Sequence, residues 1–484
     1  MSEVLFTHSY FYKFDPKQLK SKQFYPPLGT IYAASFIRDS GYEVSLFDTN
    51  LKNDPIEIIS DLKNHNPKYL IIYDDGFNYL TKMCLLKMRK AAFKLIEIGK
   101  KYNCKVIVSS SDSTDHYEKY LENGADFVLL GEAEITLLEL LNTLNNGSSE
   151  FSQIKGITYK KEGKFINTGR REILNNLDNL PQPAWDLINV DEYKNIWINK
   201  HGYFALNIAT TRGCPFKCNW CAKPIYGNRY NSRSPENVLN EIEYLINEFG
   251  INYIWFCDDI FGLKPGWVKE FNRLIKDRKL VFKYKIQSRV DLLLQEDTIE
   301  DLAQSGADIV WVGAESGSQK ILDSMDKGTS VEQIYSAAKL LKEKHIKIGL
   351  FLQLGYLGET KNDIEKTLKM LLDIMPDDVG ISISYPLPGT KFYGIVKDQL
   401  KEKTNWNDSD DLDLMYQNNF SREYYKKLHR FIHKKFRREQ GIIFIKKFFN
   451  NPFTLSSYEF KKALATFYYI PQIIIYKYWL KKLQ

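Results

Sequence analysis

The chain has 484 residues, 44% of them hydrophobic and 26% charged, a balance that fits several folded domains and excludes a disordered or fibrous protein. No stretch approaches the roughly 18 consecutive apolar residues of a membrane-spanning helix, and the first residues lack the basic-then-apolar layout of a signal peptide, so a cytoplasmic protein is expected. The net charge of +7 is uneven: residues 422–484 hold 15 Lys/Arg against 3 Asp/Glu, which leaves the rest of the chain slightly acidic.

Residues 1–148 alternate strand and helix patterns. Strands are expected at Val4–His8, Glu43–Asp48, Tyr69–Tyr73, Lys105–Ser109 and Asp126–Leu130, each a short apolar run ending in polar residues or glycine. Helices are expected at Leu28–Arg38, Leu80–Lys101 and Ile135–Leu144. Five such units predict a Rossmann-like, doubly wound parallel sheet that binds ligands beyond the carboxyl ends of its strands. Residues 149–199 read as a linker with a hairpin around Glu162-Gly163 and an extended Leu180-Pro181-Gln182-Pro183 segment.

A second alternation covers residues 200–405. Its strands are expected at Phe204–Thr210, Tyr253–Cys257, Tyr284–Ser288, Ile309–Gly313, Lys347–Leu354 and Gly380–Ser384, with helices between them. Six βα units in this length predict an incomplete TIM-type barrel with active residues at the strand carboxyl ends. Residues 406–484 predict a basic helical C-terminal region, after an acidic loop at Asp408–Asp413.

Six cysteines are too few for a disulfide scaffold in a chain of this length, yet three of them fall within eight residues: Cys214-Pro215-Phe216-Lys217-Cys218-Asn219-Trp220-Cys221. Thiolates spaced by four and three residues on one loop can converge on an iron–sulfur cluster, and three ligands leave one iron open for a small molecule. A structural zinc site would want a fourth ligand, for which Cys257 is the nearest cysteine outside the triplet.

The CxxxCxxC spacing, with Thr211-Arg212-Gly213 before it, resembles the signature of the radical S-adenosylmethionine (SAM) superfamily. Later segments resemble the strand ends of that superfamily's barrel: Phe256-Cys257-Asp258-Asp259, Gln287-Ser288-Arg289-Val290, Gly313-Ala314-Glu315-Ser316-Gly317, Gly355-Tyr356-Leu357-Gly358-Glu359-Thr360 and Tyr385-Pro386-Leu387-Pro388-Gly389-Thr390. The resemblance implies a [4Fe-4S] cluster on Cys214, Cys218 and Cys221 and SAM bound to its open iron. It implies that Asp258 and Asp259 stand near the methionyl amine, where the family commonly has Gly-Gly-Glu, and that Ser288, Arg289 and Glu315 contact the carboxylate or ribose. Gly355 reads as part of that site or as a simple turn glycine, and strand-end carboxylates with an arginine can equally form a structural ion pair.

The first domain resembles the cobalamin-binding domain of the B12-dependent branch through Tyr25-Pro26-Pro27-Leu28-Gly29, Gly41-Tyr42-Glu43-Val44 with Asp48, and Gly124-Ala125-Asp126 through Gly131-Glu132-Ala133-Glu134. The Asp-x-His-x-x-Gly motif that ligates cobalt through histidine is absent, and His8 and His116 read as packing or surface residues. The loops implied to approach the corrin are Asp74–Tyr79, Ser109–Ser113 and Gly131–Glu134, with Asp74, Ser109, Ser110, Gly131 and Glu132 as contacts.

The resemblance implies reductive cleavage of SAM to a 5′-deoxyadenosyl radical, hydrogen abstraction from an unactivated carbon of a small-molecule or lipid-like substrate, and methyl transfer from methylcobalamin. The alternative is a B12-dependent cyclase, oxidase or rearrangement enzyme without net methyl transfer. Flavodoxin or ferredoxin is the implied reductant. The basic, aromatic tail reads either as a helical cap on the barrel or as a peripheral contact with an anionic membrane. No nucleic-acid partner is expected, because the body of the chain is acidic.

Overall fold

The computed structural model describes residues 2–401, 403–451 and 455–484. These form two compact units: residues 1–216, 222–286 and 405–411 in the first, and residues 217–221, 287–404 and 412–484 in the second.

The first unit opens with β1 (Val4–Thr7), β2 (Val44–Phe47), β3 (Tyr69–Tyr73), β4 (Lys105–Ser109) and β5 (Phe127–Leu129). They pair in parallel in the order 2-1-3-4-5, as expected for a doubly wound sheet, with the crevice at the β1/β3 switch point. Alternate strand residues point to opposite faces and build two cores. Leu5, Leu70, Ile72, Val106, Val108 and Val128 pack under the helix Leu86–Lys101. Val4, Phe6, Ile71, Ile107 and Leu129 pack under the helices Leu28–Asp39 and Glu134–Asn145.

Three features depart from the sequence expectation. The helix expected over Leu80–Lys101 is broken into Tyr79–Lys82 and Leu86–Lys101, because Cys84 takes a left-handed conformation with φ of 54°. The Ser109–Ser113 run is not an open loop: Ser111–Asp115 is helical, and Ser110 and Ser113 close a reciprocal capping box. The hairpin, β6 (Ile157–Lys161) and β7 (Lys164–Asn167), joins the first sheet, because β6 pairs antiparallel with β5 and covers an otherwise open edge.

The same unit holds β8 (Ala205–Ile208), the short antiparallel pair β9 (Thr211–Arg212) and β10 (Asn231–Ser232), then β11 (Tyr253–Phe256) and most of β12 (Lys283–Ser288). β11 pairs in parallel with both β8 and β12. The second unit carries β13 (Ala307–Glu315), β14 (Lys347–Leu354) and β15 (Asp378–Ile383), also parallel. All six expected barrel strands are therefore present, with helices such as Pro235–Phe249, Val331–Glu343 and Lys361–Ile374 between them.

The tail forms two long helices, Arg422–Asn450 and Ser457–Lys482. The first docks beside β15: Gln440 Nε2 donates to Pro376 O at 3.2 Å and Asp377 O at 3.0 Å, and Arg437 pairs with Asp378 at 2.7 Å. The second helix crosses the first at Gly441, where an added Cβ would lie 1.8 Å from Thr466 Oγ1 and 2.8 Å from Lys462 O. Gly441→Ala is expected to cost about 1–3 kcal/mol through overpacking. Gly394→Ala, which meets open space, is the control, and thermal unfolding of the two variants checks the difference.

Candidate active site

The cysteine triplet lies on an irregular segment bracketed by β9 and β10. Gly213 enters it with φ of 81°, and a Cβ there would sit 2.2 Å from Arg229 O, so only glycine fits. Lys223 ties the first part of the segment together: its Nζ donates to Cys214 O at 3.0 Å, to Asn228 Oδ1 at 2.8 Å and to Phe216 O. Sequence reasoning did not single out this lysine. Cys214, Cys218 and Cys221 form no disulfide and are partly exposed, as ligands open to a cofactor must be.

In the second unit Asn219 anchors the triplet's end. Its Nδ2 donates to Ser324 O at 2.6 Å, its Oδ1 accepts from Tyr356 Oη at 2.9 Å, and its carbonyl accepts from Phe392 N at 2.9 Å. Arg289, expected at the SAM carboxylate, has Nη1 3.9 Å from Cys218 Sγ while Asp291 holds its guanidinium at 2.9 Å. Glu315 sits at a register break in β13 with φ of 58° and pairs with Lys327 at 2.8 Å. Burial opposes the charge on Lys327, but Glu315 and Cys218 outweigh it and hold its pKa up. Gly313 leaves the room for this pair, since a Cβ there would lie 2.7 Å from Lys327 Nζ. Arg289 and Lys327 thus place two cations beside Cys218. Lys327 was not foreseen, and its only sequence signal is its place after the Glu315 motif. Ser288 is buried at the end of β12.

The first unit corrects several expectations. Asp258, expected near an amine, already receives Thr210 N at 2.7 Å, Thr210 Oγ1 at 2.7 Å and Thr211 N at 2.8 Å, and so acts as a brace of the β8 end. Burial pushes its carboxyl up to about 6. Asp259 pairs with Lys82 at 2.6 Å. Cys257 is buried and donates to Ile208 O at 3.3 Å, and burial pushes its thiol pKa well up. Among the described residues no three His, Cys, Asp or Glu side chains converge on a single ion. A four-iron cluster makes no such demand, since each thiolate takes a separate iron.

At the carboxyl ends of the first sheet, Asp74 accepts from Ser9 N at 2.6 Å and Ser9 Oγ at 2.8 Å. Asp75 receives Gly29 N at 3.0 Å and Phe77 N at 2.9 Å, but its Oδ2 is buried without a partner. This unmatched acceptor fits a ligand rich in amide N–H groups, as cobalamin is. Ser109 is buried, and the Ser110 hydroxyl accepts from Ser113 N at 2.8 Å. Gly131 has φ of 75° and approaches Ile225 O. Glu132, likewise expected to face the corrin, accepts from Leu174 N at 2.6 Å and pairs with Arg212 at 2.5 Å, while Glu134 holds the same guanidinium at 2.8 Å. Arg212 lies against the rings of Tyr32, Phe77 and Tyr226. His8 is a packing residue, 2.9 Å from Asp48.

Gly355 also has a structural part: its N–H donates to Glu359 Oε2 at 2.8 Å and its carbonyl accepts from Asn418 Nδ2 at 2.6 Å. Burial pushes the Glu359 carboxyl up to about 8. A raised acid holds its proton more tightly in the folded chain, so its contribution is intact at acid pH and is lost as pH rises towards 8. Glu359→Gln is expected to melt higher than wild type at pH 9 and close to it at pH 5, which thermal scans at the two pH values check.

Residues 208–371 match the family described as the Radical SAM superfamily. An uncharacterized methyltransferase of Pyrococcus horikoshii is 29% identical over 84% of this chain and 86% of its own length. An anaerobic magnesium-protoporphyrin IX monomethyl ester cyclase of Rubrivivax gelatinosus is 26% identical over 78% of this chain and 67% of its own. Among solved structures, the cobalamin-dependent SAM radical enzyme OxsB superposes with a TM-score of 0.73 at 17% identity, covering 99% of this chain and 72% of that one. The radical SAM methyltransferase TsrM of Kitasatospora setae superposes with a TM-score of 0.67 at 17% identity, covering 82% and 75%.

The fold and the three-cysteine segment thus define a radical SAM enzyme. Residues 208–371 are similar to the Radical SAM superfamily, and the fold of the chain is that of the solved structures OxsB and TsrM.

Proposed function

We propose that the protein is a cobalamin-dependent radical SAM methyltransferase acting on an unactivated carbon of a small molecule. The observation that carries this reading is the set of three cysteines outside any disulfide, with Arg289 and Lys327 beside Cys218, in a chain of which 99% superposes on OxsB. Bound [4Fe-4S], SAM and methylcobalamin supply reductive cleavage to a 5′-deoxyadenosyl radical, hydrogen abstraction and methyl transfer.

The chain's own task is positioning and shielding. Cys214, Cys218 and Cys221 hold three irons. Arg289 and Ser288 bind the SAM carboxylate or ribose, with Arg289 aimed by Asp291, and Glu315 is steered by Lys327. Asp258 braces the β8 end, and Asp259 beside it pairs with Lys82. Asp74, Asp75 and Gly131 present the sheet's carboxyl ends to the corrin. Flavodoxin or ferredoxin supplies electrons, the enzyme works in the cytoplasm, and its basic tail meets a membrane.

A cyclase-type reaction is the second reading, favoured by the similarity to the Rubrivivax enzyme. Anaerobic turnover with SAM, methylcobalamin, a reductant and candidate substrates separates the two. Methyl transfer yields both 5′-deoxyadenosine and S-adenosylhomocysteine in step with product; a cyclase yields no S-adenosylhomocysteine.

A further inference from the structure

The helix Ser457–Lys482 is apolar on its buried side and carries apolar residues on its exposed side as well. One side, through Ala463, Thr466, Ile473 and Leu480, is buried. The opposite side exposes Phe460, Leu464, Phe467, Ile474 and Tyr478, which recur every three, four or seven residues and so form one stripe along the helix. Phe467, Ile474 and Tyr478 are each 65–67% exposed. A continuous uncovered apolar stripe marks an interaction surface. No helix among the described residues is long and apolar enough to cross a membrane, so the stripe is not part of a transmembrane span.

What covers it follows from the charges around it. Lys461, Lys477, Lys481 and Lys482 flank the stripe and are exposed. The helix carries a single acid, Glu459, which is consumed by Lys447 and Ser456. On the companion helix, burial first, then Arg438 and Lys477 against an opposing Glu439, push the Lys435 pKa down. A second copy of this chain would set the same lysines against each other across a two-fold axis, a repulsive arrangement. An anionic bilayer surface offers both halves of the match, acyl chains for the stripe and phosphates for the lysines.

We infer that the exposed face of Ser457–Lys482 is a docking surface for anionic phospholipid bilayers, on which this helix lies in the plane of the interface. This gives a surface to the membrane contact in the proposed function, and it does not depend on the radical chemistry, since lipid binding is read without turnover.

The test is flotation of the full-length protein with phosphatidylcholine vesicles with and without about a third phosphatidylglycerol. Wild type is expected to float with the anionic vesicles, more weakly in high salt, and to stay behind with the neutral ones. Phe467→Glu/Ile474→Glu is expected to abolish flotation with unchanged helix content by circular dichroism, and Lys477→Gln to weaken it about fivefold. Wild type left behind by anionic vesicles overturns the inference. So does a dimer in sedimentation that the Phe467→Glu/Ile474→Glu pair converts to monomer, because the face is then a self-association surface. If flotation succeeds and turnover fails, the lipid surface stands and only the proposed reaction falls.

Discussion

Cys218→Ala is expected to reduce anaerobic SAM cleavage to background and to take the reconstituted iron from about four per chain towards zero. The argument is local. Each of the three thiolates takes its own iron, so losing one leaves a corner of the cluster without a protein ligand. Cys218 also has Arg289 at 3.9 Å and Lys327 close by. Cys257→Ala is the contrasting variant. Its thiol is buried, bonded to Ile208 O and pushed well up in pKa, so its removal is expected to leave iron content and SAM cleavage unchanged. Iron analysis and chromatographic detection of 5′-deoxyadenosine read both variants. A Cys257→Ala protein without iron would return the fourth-ligand zinc site to consideration.

The largest stability effect is expected at Arg212. Its side chain and those of Glu132 and Glu134 are all at most 5% exposed, and the guanidinium bridges both carboxylates. Arg212→Met leaves two buried carboxylates without compensation, which costs about 3–5 kcal/mol. The triple variant Arg212→Met/Glu132→Gln/Glu134→Gln removes the stranded charges and is expected to recover much of that loss, because an apolar or neutral substitute for a whole buried ion cluster is often tolerated. Denaturant unfolding of the apo-protein followed by circular dichroism measures the difference. Equal stability of wild type and Arg212→Met would mean that the ion cluster contributes no net stability.

The fold was legible because both periodic signals are strong. Short buried strands such as Tyr69–Tyr73 and Lys347–Leu354 alternate with amphipathic helices, and parallel sheets make that alternation obligatory. Two errors came from features that local sequence does not encode. A left-handed residue at Cys84 breaks a helix whose hydrophobic period runs on through it. The hairpin Ile157–Asn167 reads as an isolated connector, because joining a sheet edge is a tertiary event.

In the site, the cysteines were legible because their spacing alone reports the chemistry. The carboxylates were not. Asp258, Glu132 and Gly355 look available in sequence, but their partners Thr210, Arg212 and Glu359 come from other strand ends or loops. The most informative missed residues, Lys223 and Lys327, are ordinary lysines in sequence and become distinctive only once they bond Cys214 O and Glu315.

The central claim is that one chain holds both an iron–sulfur cluster and a corrinoid. Anaerobic reconstitution with iron, sulfide and hydroxocobalamin, followed by gel filtration and metal analysis, tests it most directly. About four irons and about one cobalt per chain is the predicted result, with Cys218→Ala losing the iron and keeping the cobalt. About four irons with no cobalt would contradict the account, leaving a radical SAM enzyme whose first domain binds no corrinoid.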